Sequence, residues 1–350
     1  MAFGAILDAL SRVISPALID DAGWANLRDA VRDLPVDPGT GFGFELRLGD
    51  TAARTDFYIA LPRGSSLGDH YVRLGECAPP GSPSAVLGNC LASIETEAPW
   101  SDILCVEFDA ASDSPGAPPG LFVRIRSDLA ENGAAGAPDA LTVAEWLASA
   151  VGWQVAVGEG RALRRAFDAV DAAGGSVDCL GIMPGRGERA FKINSRAMKP
   201  DRMLQVLERL RWNGPAGELA AFLARFGGLF HSLRLAIGVT ADGVLPRIGL
   251  ELFQGEPGSL SQPGAGGWPP FLAGLREDGL CLPRKMDGLL AWPGRELVFC
   301  GRDTFGVLTG IAHVKVSFEE REGEAAIEAK AYPAAGYLPF ETIESRFALR

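Results

Sequence analysis

Five times along this 350-residue chain, two short runs of alternating residues are joined by a turn, and helical segments separate each pair from the next. The pairs fall at 41–62, at 102–110 with 120–128, at 176–184 with 188–195, at 231–240 with 243–254, and at 310–320 with 325–334. Side chains alternate across a strand, so each run has one apolar and one polar face, and each pair reads as an antiparallel hairpin. Ala241-Asp242-Gly243 carries the Asp-Gly hairpin signature, GRG closes the third pair, and the Pro/Gly-rich SDSPGAPPG links the second.

Helical spacing fills the intervals. Apolar residues recur at Ile6, Leu10, Val13 and Ile14, then at Trp24, Leu27 and Val31, before Pro35 and Pro38 end the segment. Further helices are expected near Ser84–Glu95, at Thr142–Val151 with Thr142 as N-cap and Glu145 completing a capping box, and at Gly160–Ala173. Others follow at Asp201–Trp212, Ala216–Phe226, Phe271–Leu275 and Pro283–Trp292. Ten antiparallel strands with helices between hairpins suit a closed barrel roofed by helices, because closure removes exposed sheet edges. Two stacked open sheets, each covered by helices, are the other arrangement.

Composition narrows the functional classes. Lys plus Arg total 33 against 44 Asp plus Glu, a net charge of −11, which disfavours delocalised nucleic-acid binding. No apolar run approaches the roughly 20 residues of a membrane span. The N-terminus lacks a basic region, and Asp8 and Arg12 interrupt its apolar stretch, so it reads as an amphipathic helix rather than a signal peptide. Six scattered cysteines (Cys77, Cys90, Cys105, Cys179, Cys281, Cys300) without a CxxC pair read as reduced thiols. His70, His231 and His313 have no metal-ligand spacing. A single cytoplasmic domain spanning 1–350, without a metal, is the expectation.

The second strand of each hairpin carries the most chemistry. Phe122, Arg124 and Arg126 alternate with Leu121, Val123 and Ile125; Lys192 and Asn194 with Phe191 and Ile193; Arg247, Gly249 and Glu251 with Ile248, Leu250 and Leu252; Glu328, Lys330 and Tyr332 with Ile327, Ala329 and Ala331. An open sheet turns these polar faces to water. A ten-stranded barrel turns them into a lumen wide enough for a solvated cavity, where Arg124, Arg126, Lys192 and Lys330 form a cationic cluster able to grip a diphosphate. Glu45, alone among apolar neighbours in GFGFELRL, and Glu251 supply carboxylates for a base or for a cationic ligand. His313 and Lys315 alternate in HVKVSF and share one face.

GFGFELRL at 41–48, together with the pairs Arg124/Arg126, Lys192/Asn194 and Lys330/Tyr332, resembles the aromatic prenyltransferases of the ABBA or PT-barrel superfamily. Within it, the chain is most similar to the dimethylallyl-tryptophan-synthase type and to cyanobactin peptide prenyltransferases. The resemblance implies an α+β fold: a ten-stranded antiparallel barrel of five helix–hairpin–helix units, helices outside. It implies Glu45 as the catalytic residue that hydrogen-bonds the acceptor and removes a proton. Arg124, Arg126, Lys192 and Lys330 would hold the diphosphate, with Tyr332 shielding the allylic cation. Arg47, Asn194, Glu251, His313 and Lys315 are further lumen candidates. The implied co-substrate is an allylic diphosphate, with Mg2+ as an optional counterion and no tightly bound cofactor; the acceptor is an aromatic small molecule or a peptide side chain. A non-catalytic barrel that binds a peptide or partner enzyme is the alternative.

The chain departs from that pattern in places. It has four tyrosines. Arg126 and Asn194 stand where tyrosine is usual, Ala190 where arginine is frequent, and Gly249 with Glu251 in a Lys-x-Tyr slot.

Overall fold

The computed structural model describes residues 3–31, 34, 37, 40–109, 118–126, 138–187, 189–255, 260–261, 266–292, 294–300 and 303–339. Its strands are β1 (Gly41–Arg47), β2 (Thr55–Pro62), β3 (Ser101–Phe108), β4 (Gly120–Ile125), β5 (Val177–Ile182), β6 (Phe191–Ser195), β7 (Ser232–Thr240), β8 (Gly243–Phe253), β9 (Arg295–Cys300), β10 (Asp303–Arg321) and β11 (Glu324–Pro339). Every pairing is antiparallel. β1 to β8 follow one another, β8 pairs with β10, β10 with β11, and β11 returns to β1, so ten strands close into a barrel. The stacked-sheet arrangement is excluded by the β11–β1 ladder, which runs from Gly41↔Gly336 to Arg47↔Lys330.

β9 lies outside the ring. It pairs with Asp303–Leu308 of β10, while β8 takes Val314–Phe318 on the same edge. That makes the last hairpin longer at both ends than its alternation predicts.

Among the described residues, a pair of helices precedes each barrel hairpin: α1 (Gly4–Leu10) and α2 (Asp21–Val31), α3 (Ser66–Cys77) and α4 (Pro83–Thr96), α5 (Ala140–Ala150) and α6 (Val157–Ala172), α7 (Pro200–Arg209) and α8 (Ala216–Phe226), α9 (Trp268–Glu277) and α10 (Pro283–Leu290). The apolar strand faces look outward at them. Phe42, Phe44 and Leu46 of β1 and Phe57, Ile59 and Leu61 of β2 are buried. Phe3 meets Phe42 edge-on at 4.7 Å, and Trp24 of α2 meets Phe44 at 5.8 Å. Burying one such side chain contributes about 1.5–3 kcal/mol, so the layer between wall and helices is the hydrophobic core and the lumen is left for other work.

Several local expectations differ. α5 starts at Ala140 because Asp139, not Thr142, is the N-cap: its carboxylate accepts from the backbone N–H of Leu141 and Thr142, both at 2.8 Å. In α6 the capping carboxylate is Glu159, which accepts from Ala156 N–H at 2.7 Å. α3 lies in a stretch whose glycines suggest a loop. Gly75 crosses α4 at Gly88 so closely that a Cβ on it would lie 2.8 Å from the Gly88 Cα. The stops at Pro35 and Pro38, residues 110 and 127–128 of the second pair and residues 111–117 of the connection between its strands lie outside the described residues. No helix among the described residues is long and apolar enough to cross a membrane.

Candidate functional site

Inside the barrel lies a cavity of about 1000 Å³ whose lining alternates strand by strand with the buried outer face. β1 contributes Glu45 and Arg47, β2 Tyr58, β3 Cys105 and Glu107, β4 Phe122 and Arg124, and β6 Lys192 and Asn194. β7 adds Arg234, β8 Arg247, Glu251 and Phe253, β10 His313 and Lys315, and β11 Glu328, Lys330 and Tyr332. Around the ten-membered ring, β6 is five strands from β1 in either direction, so Lys192 and Asn194 face Glu45 across the lumen. Arg126 follows the end of β4, its backbone N–H bonded to the Trp100 carbonyl at 2.9 Å, and is not among the lining residues. The alternation that placed it inward stops one residue earlier.

Glu45 is 6% exposed and fully engaged. One oxygen accepts from the Lys330 ammonium and the other from the Tyr332 hydroxyl at 2.5 Å. Burial pushes this carboxyl up, but the adjacent Lys330 charge and hydrogen bond, the Tyr332 hydroxyl and the Arg186 charge pull it down further, to about 2. It is therefore a fixed anion. Burial and the same anion hold the Tyr332 phenol well above its ordinary range.

Tyr332 belongs to an aromatic stack. Its ring lies parallel to His313 at 4.2 Å, His313 stacks on Phe253 at 4.9 Å, and the Arg234 guanidinium lies over the Phe253 ring at 5.0 Å. A bulge between Ile311 and His313 switches the face of β10, so Ile311 packs outward while His313 enters the lumen. Burial lowers His313 to about 4, so the ring is a neutral stacking element at physiological pH.

In the slot where the resemblance implies Lys-x-Tyr, Gly249 takes the place of the cation and Glu251 that of the tyrosine. Lys315 compensates Glu251: the two side chains meet at 3.4 Å, and Asn194 donates to the same carboxylate at 3.3 Å. Gly249 makes that reach feasible, since a Cβ there would lie 2.3 Å from the Lys315 Cε. Burial raises the Glu251 carboxyl, and Lys315, His313 and Arg234 together lower it below its ordinary value. Other lumen cations are likewise paired: Arg124 with Asp102 through two bonds at 2.7 and 3.0 Å, Arg234 with Asp178 at 2.6 Å, Arg247 with Glu328, and Arg47 with Asp56 at 3.6 Å.

A second acidic group lies toward the end of β3. Burial, the Glu45 charge and Asp109 push Glu107 up to about 7, against the lowering pull of Arg186 and Lys315. Burial and the charges of Glu45 and Asp109 bring Asp56 up to about 6. Arg186, just after β5, binds Asp109 at 2.6 Å and stands 3.9 Å from Glu107. Among the described residues no three His, Cys, Asp or Glu side chains are arranged to hold a metal ion.

No family model matches the chain, and no curated protein does either. Among solved structures, a 6-dimethylallyl tryptophan synthase superposes with a TM-score of 0.51 at 13% identity, covering 95% of this chain and 96% of its own. The fold is the PT barrel. AnaPT from Neosartorya fischeri matches at a TM-score of 0.48 and 13% identity over 84% of this chain and 77% of its own. A 6-dimethylallyltryptophan synthase from Micromonospora olivasterospora, in complex with DMASPP and Trp, matches at 0.46 and 13% identity over 96% of each.

Within this PT barrel, ten of the eleven residues singled out from sequence line one cavity: Glu45, Arg47, Arg124, Lys192, Asn194, Glu251, His313, Lys315, Lys330 and Tyr332. Tyr58, Glu107, Phe122, Asp178, Arg186, Arg234 and Phe253 join them unanticipated as site residues. For Tyr58, Glu107 and Arg234 the signal was present, because antiparallel partners share a face: Tyr58 pairs with Gly43 and Glu107, and Arg234 with Glu251.

Proposed function

We propose that this PT barrel is a prenyltransferase that moves an allylic group from its diphosphate to an aromatic small molecule or to a side chain of a peptide. The observation that carries the reading is that cationic groups and aromatic rings from strands on both sides line one lumen. Glu45, Tyr58 and Tyr332 form one wall, and Lys192, Arg124 and Arg234 stand on strands of the other. The diphosphate lies against the cationic wall, where guanidinium and ammonium groups stabilise the charge that develops as the allylic C–O bond breaks. Lys192 and Arg124 keep the role expected from sequence; Arg234 takes the place of Arg126.

The allylic cation is flanked by the rings of Tyr58, Phe122, Tyr332 and Phe253, each contributing about 0.5–2 kcal/mol when desolvated. Glu45 orients the acceptor and balances the cation. Lys330 holds Glu45 rather than the diphosphate. A cavity of about 1000 Å³ has room for both substrates.

Incubation with dimethylallyl, geranyl and farnesyl diphosphates and a panel of indoles, phenols and aromatic peptides should give a product heavier by one prenyl unit. Glu45→Gln should lose turnover by about 100-fold while an allylic thiodiphosphate still binds by calorimetry. No binding of that analogue at millimolar concentration by the wild type would remove the reading. The pairing of Lys315, Arg124, Arg234 and Lys330 with carboxylates favours a second one, a non-catalytic barrel that binds a peptide or partner enzyme, and that result would leave it standing.

A further inference from the structure

Six carboxylates line the cavity among the described residues: Glu45, Asp50, Glu107, Asp178, Glu251 and Glu328. Five of them accept a hydrogen bond. Glu45 takes two, Asp50 accepts from Ala52 N–H, Asp178 from Arg234, Glu251 from Lys315 and Asn194, and Glu328 from Arg247. Among the described residues Glu107 accepts none, and it forms an ion pair with Arg186 at 3.9 Å. Glu107 is half-buried, 24% exposed, and a carboxylate that faces a cavity without a hydrogen bond is open to a partner from the ligand or to a proton.

Its neighbours keep it open. Tyr58, directly across the β2–β3 ladder, leans the other way: its phenol lies over Gly43, where a Cβ would come within 2.4 Å of the hydroxyl. On the β4 side the partner is Gly120, which offers no side chain. Arg186 spends its two shortest bonds on Asp109, at 2.6 and 2.9 Å. The remaining charges that act on Glu107 are Glu45, Asp109 and Lys315. Cys105, two residues earlier on the same face, has its thiol held up to about 12 by burial.

We infer that Glu107, not Glu45, is the general base of the reaction, the residue that removes the proton from the alkylated acceptor. This rests on the prenyl-transfer reading above. When the allylic C–O bond breaks, the diphosphate leaves with the electron pair. A π electron pair of the acceptor ring then bonds the allylic carbon, which leaves the attacked ring carbon tetrahedral and the ring a cationic arenium. That carbon's C–H electron pair returns to the ring, and the proton passes to a Glu107 oxygen. Glu107 releases it to water beside Arg186, whose side chain is 37% exposed. Glu45 cannot serve this cycle without breaking a buried ion pair, whereas Glu107 has no hydrogen bond to lose and only the longer 3.9 Å ion pair with Arg186 to weaken. The upward push on Glu107 agrees, since a base works best when its affinity for protons lies near the working pH.

The test separates this assignment from the reading beneath it. With any diphosphate and acceptor pair that wild type turns over, Glu107→Gln should lower kcat by about 100-fold or more with unchanged affinity for an allylic thiodiphosphate. In the same variant, deuterium at the reacting ring carbon should slow turnover, because proton removal has become limiting; Glu107→Asp should restore part of the rate. A Glu107→Gln enzyme with wild-type kcat and no isotope effect overturns the inference. Titration of carboxyl-13C-glutamate protein by NMR, read as the difference between wild type and Glu107→Gln, needs no turnover. A resonance titrating near 7 supports the base role, and one titrating below 5 overturns it even where no prenyl product forms with any pair.

Discussion

Replacing Lys330 by methionine isolates the ion pair at the centre of the site. The variant keeps the Tyr332 hydroxyl on Glu45 but leaves the carboxylate, 6% exposed, without its cation. In the wild type Glu45 is lowered from an ordinary 4.5 to about 2, a difference that corresponds to about 3 kcal/mol of stability at neutral pH. Because the folded value is the lower one, that stabilisation is complete above about 4.5 and is lost as pH falls toward about 2. Removing one member of a buried pair costs about 3–5 kcal/mol, so Lys330→Met should lose that much in urea unfolding at pH 7. Without Lys330, burial, the largest influence on Glu45, is opposed only by the Tyr332 hydroxyl and the Arg186 charge, which reverses the sign: protonation now relieves the folded state, and the deficit should narrow by about 1 kcal/mol or more between pH 7 and pH 5. Lys330→Met combined with Glu45→Gln should recover at least half of the loss. A single-variant loss below about 1 kcal/mol, or a double variant no more stable than the single, would refute the claim that the pair is coupled in a low-dielectric lumen.

Three further outcomes follow from specific contacts. Glu107 is pushed above its ordinary value, so its stabilising contribution is present below 4.5 and lost as pH rises through about 7. Glu107→Gln should therefore be more stable than wild type at pH 8 by about 1–3 kcal/mol in urea unfolding, and close to it at pH 5; the lower end reflects a side chain that is 24% exposed. Gly75→Ala drives a methyl into the Gly88 backbone of α4 and the Ser84 carbonyl, 2.8 and 2.9 Å away, and should lower stability by about 1–3 kcal/mol, whereas Gly217→Ala in α8, with open space around it, should not destabilise. Asp139→Ala removes the cap of α5 and should cost about 1 kcal/mol, seen as a shifted urea midpoint with unchanged slope.

The barrel was legible because its signal is periodic and repeated. Phe42, Phe44 and Leu46, or Leu121, Val123 and Ile125, announce a face that must be covered, and five hairpins with helices between them leave few ways to cover it. α3 and β9 were not legible for opposite reasons. Gly75 of α3 serves a close helix crossing, which is a tertiary fact invisible in a helix-propensity reading. β9 pairs only with an extension of β10 outside the ring, so no second strand in its own hairpin announces it.

Site residues were legible wherever a polar side chain interrupted an apolar strand, and in this barrel that interruption means lumen rather than solvent. What alternation cannot convey is which charges cancel. Glu45 stood out in sequence because it is alone among apolar residues, yet its partners come from β11, some 285 residues away, and they hold it as a fixed anion. Glu107, in ILCVEFDA, obeys the same parity and drew no notice. Its distinction is a set of absences that only the closed ring creates: a tyrosine that leans away, a glycine opposite and an arginine committed to Asp109. Identity of residue type predicts who enters a cavity; the pairing around the ring decides which of them is left free to react.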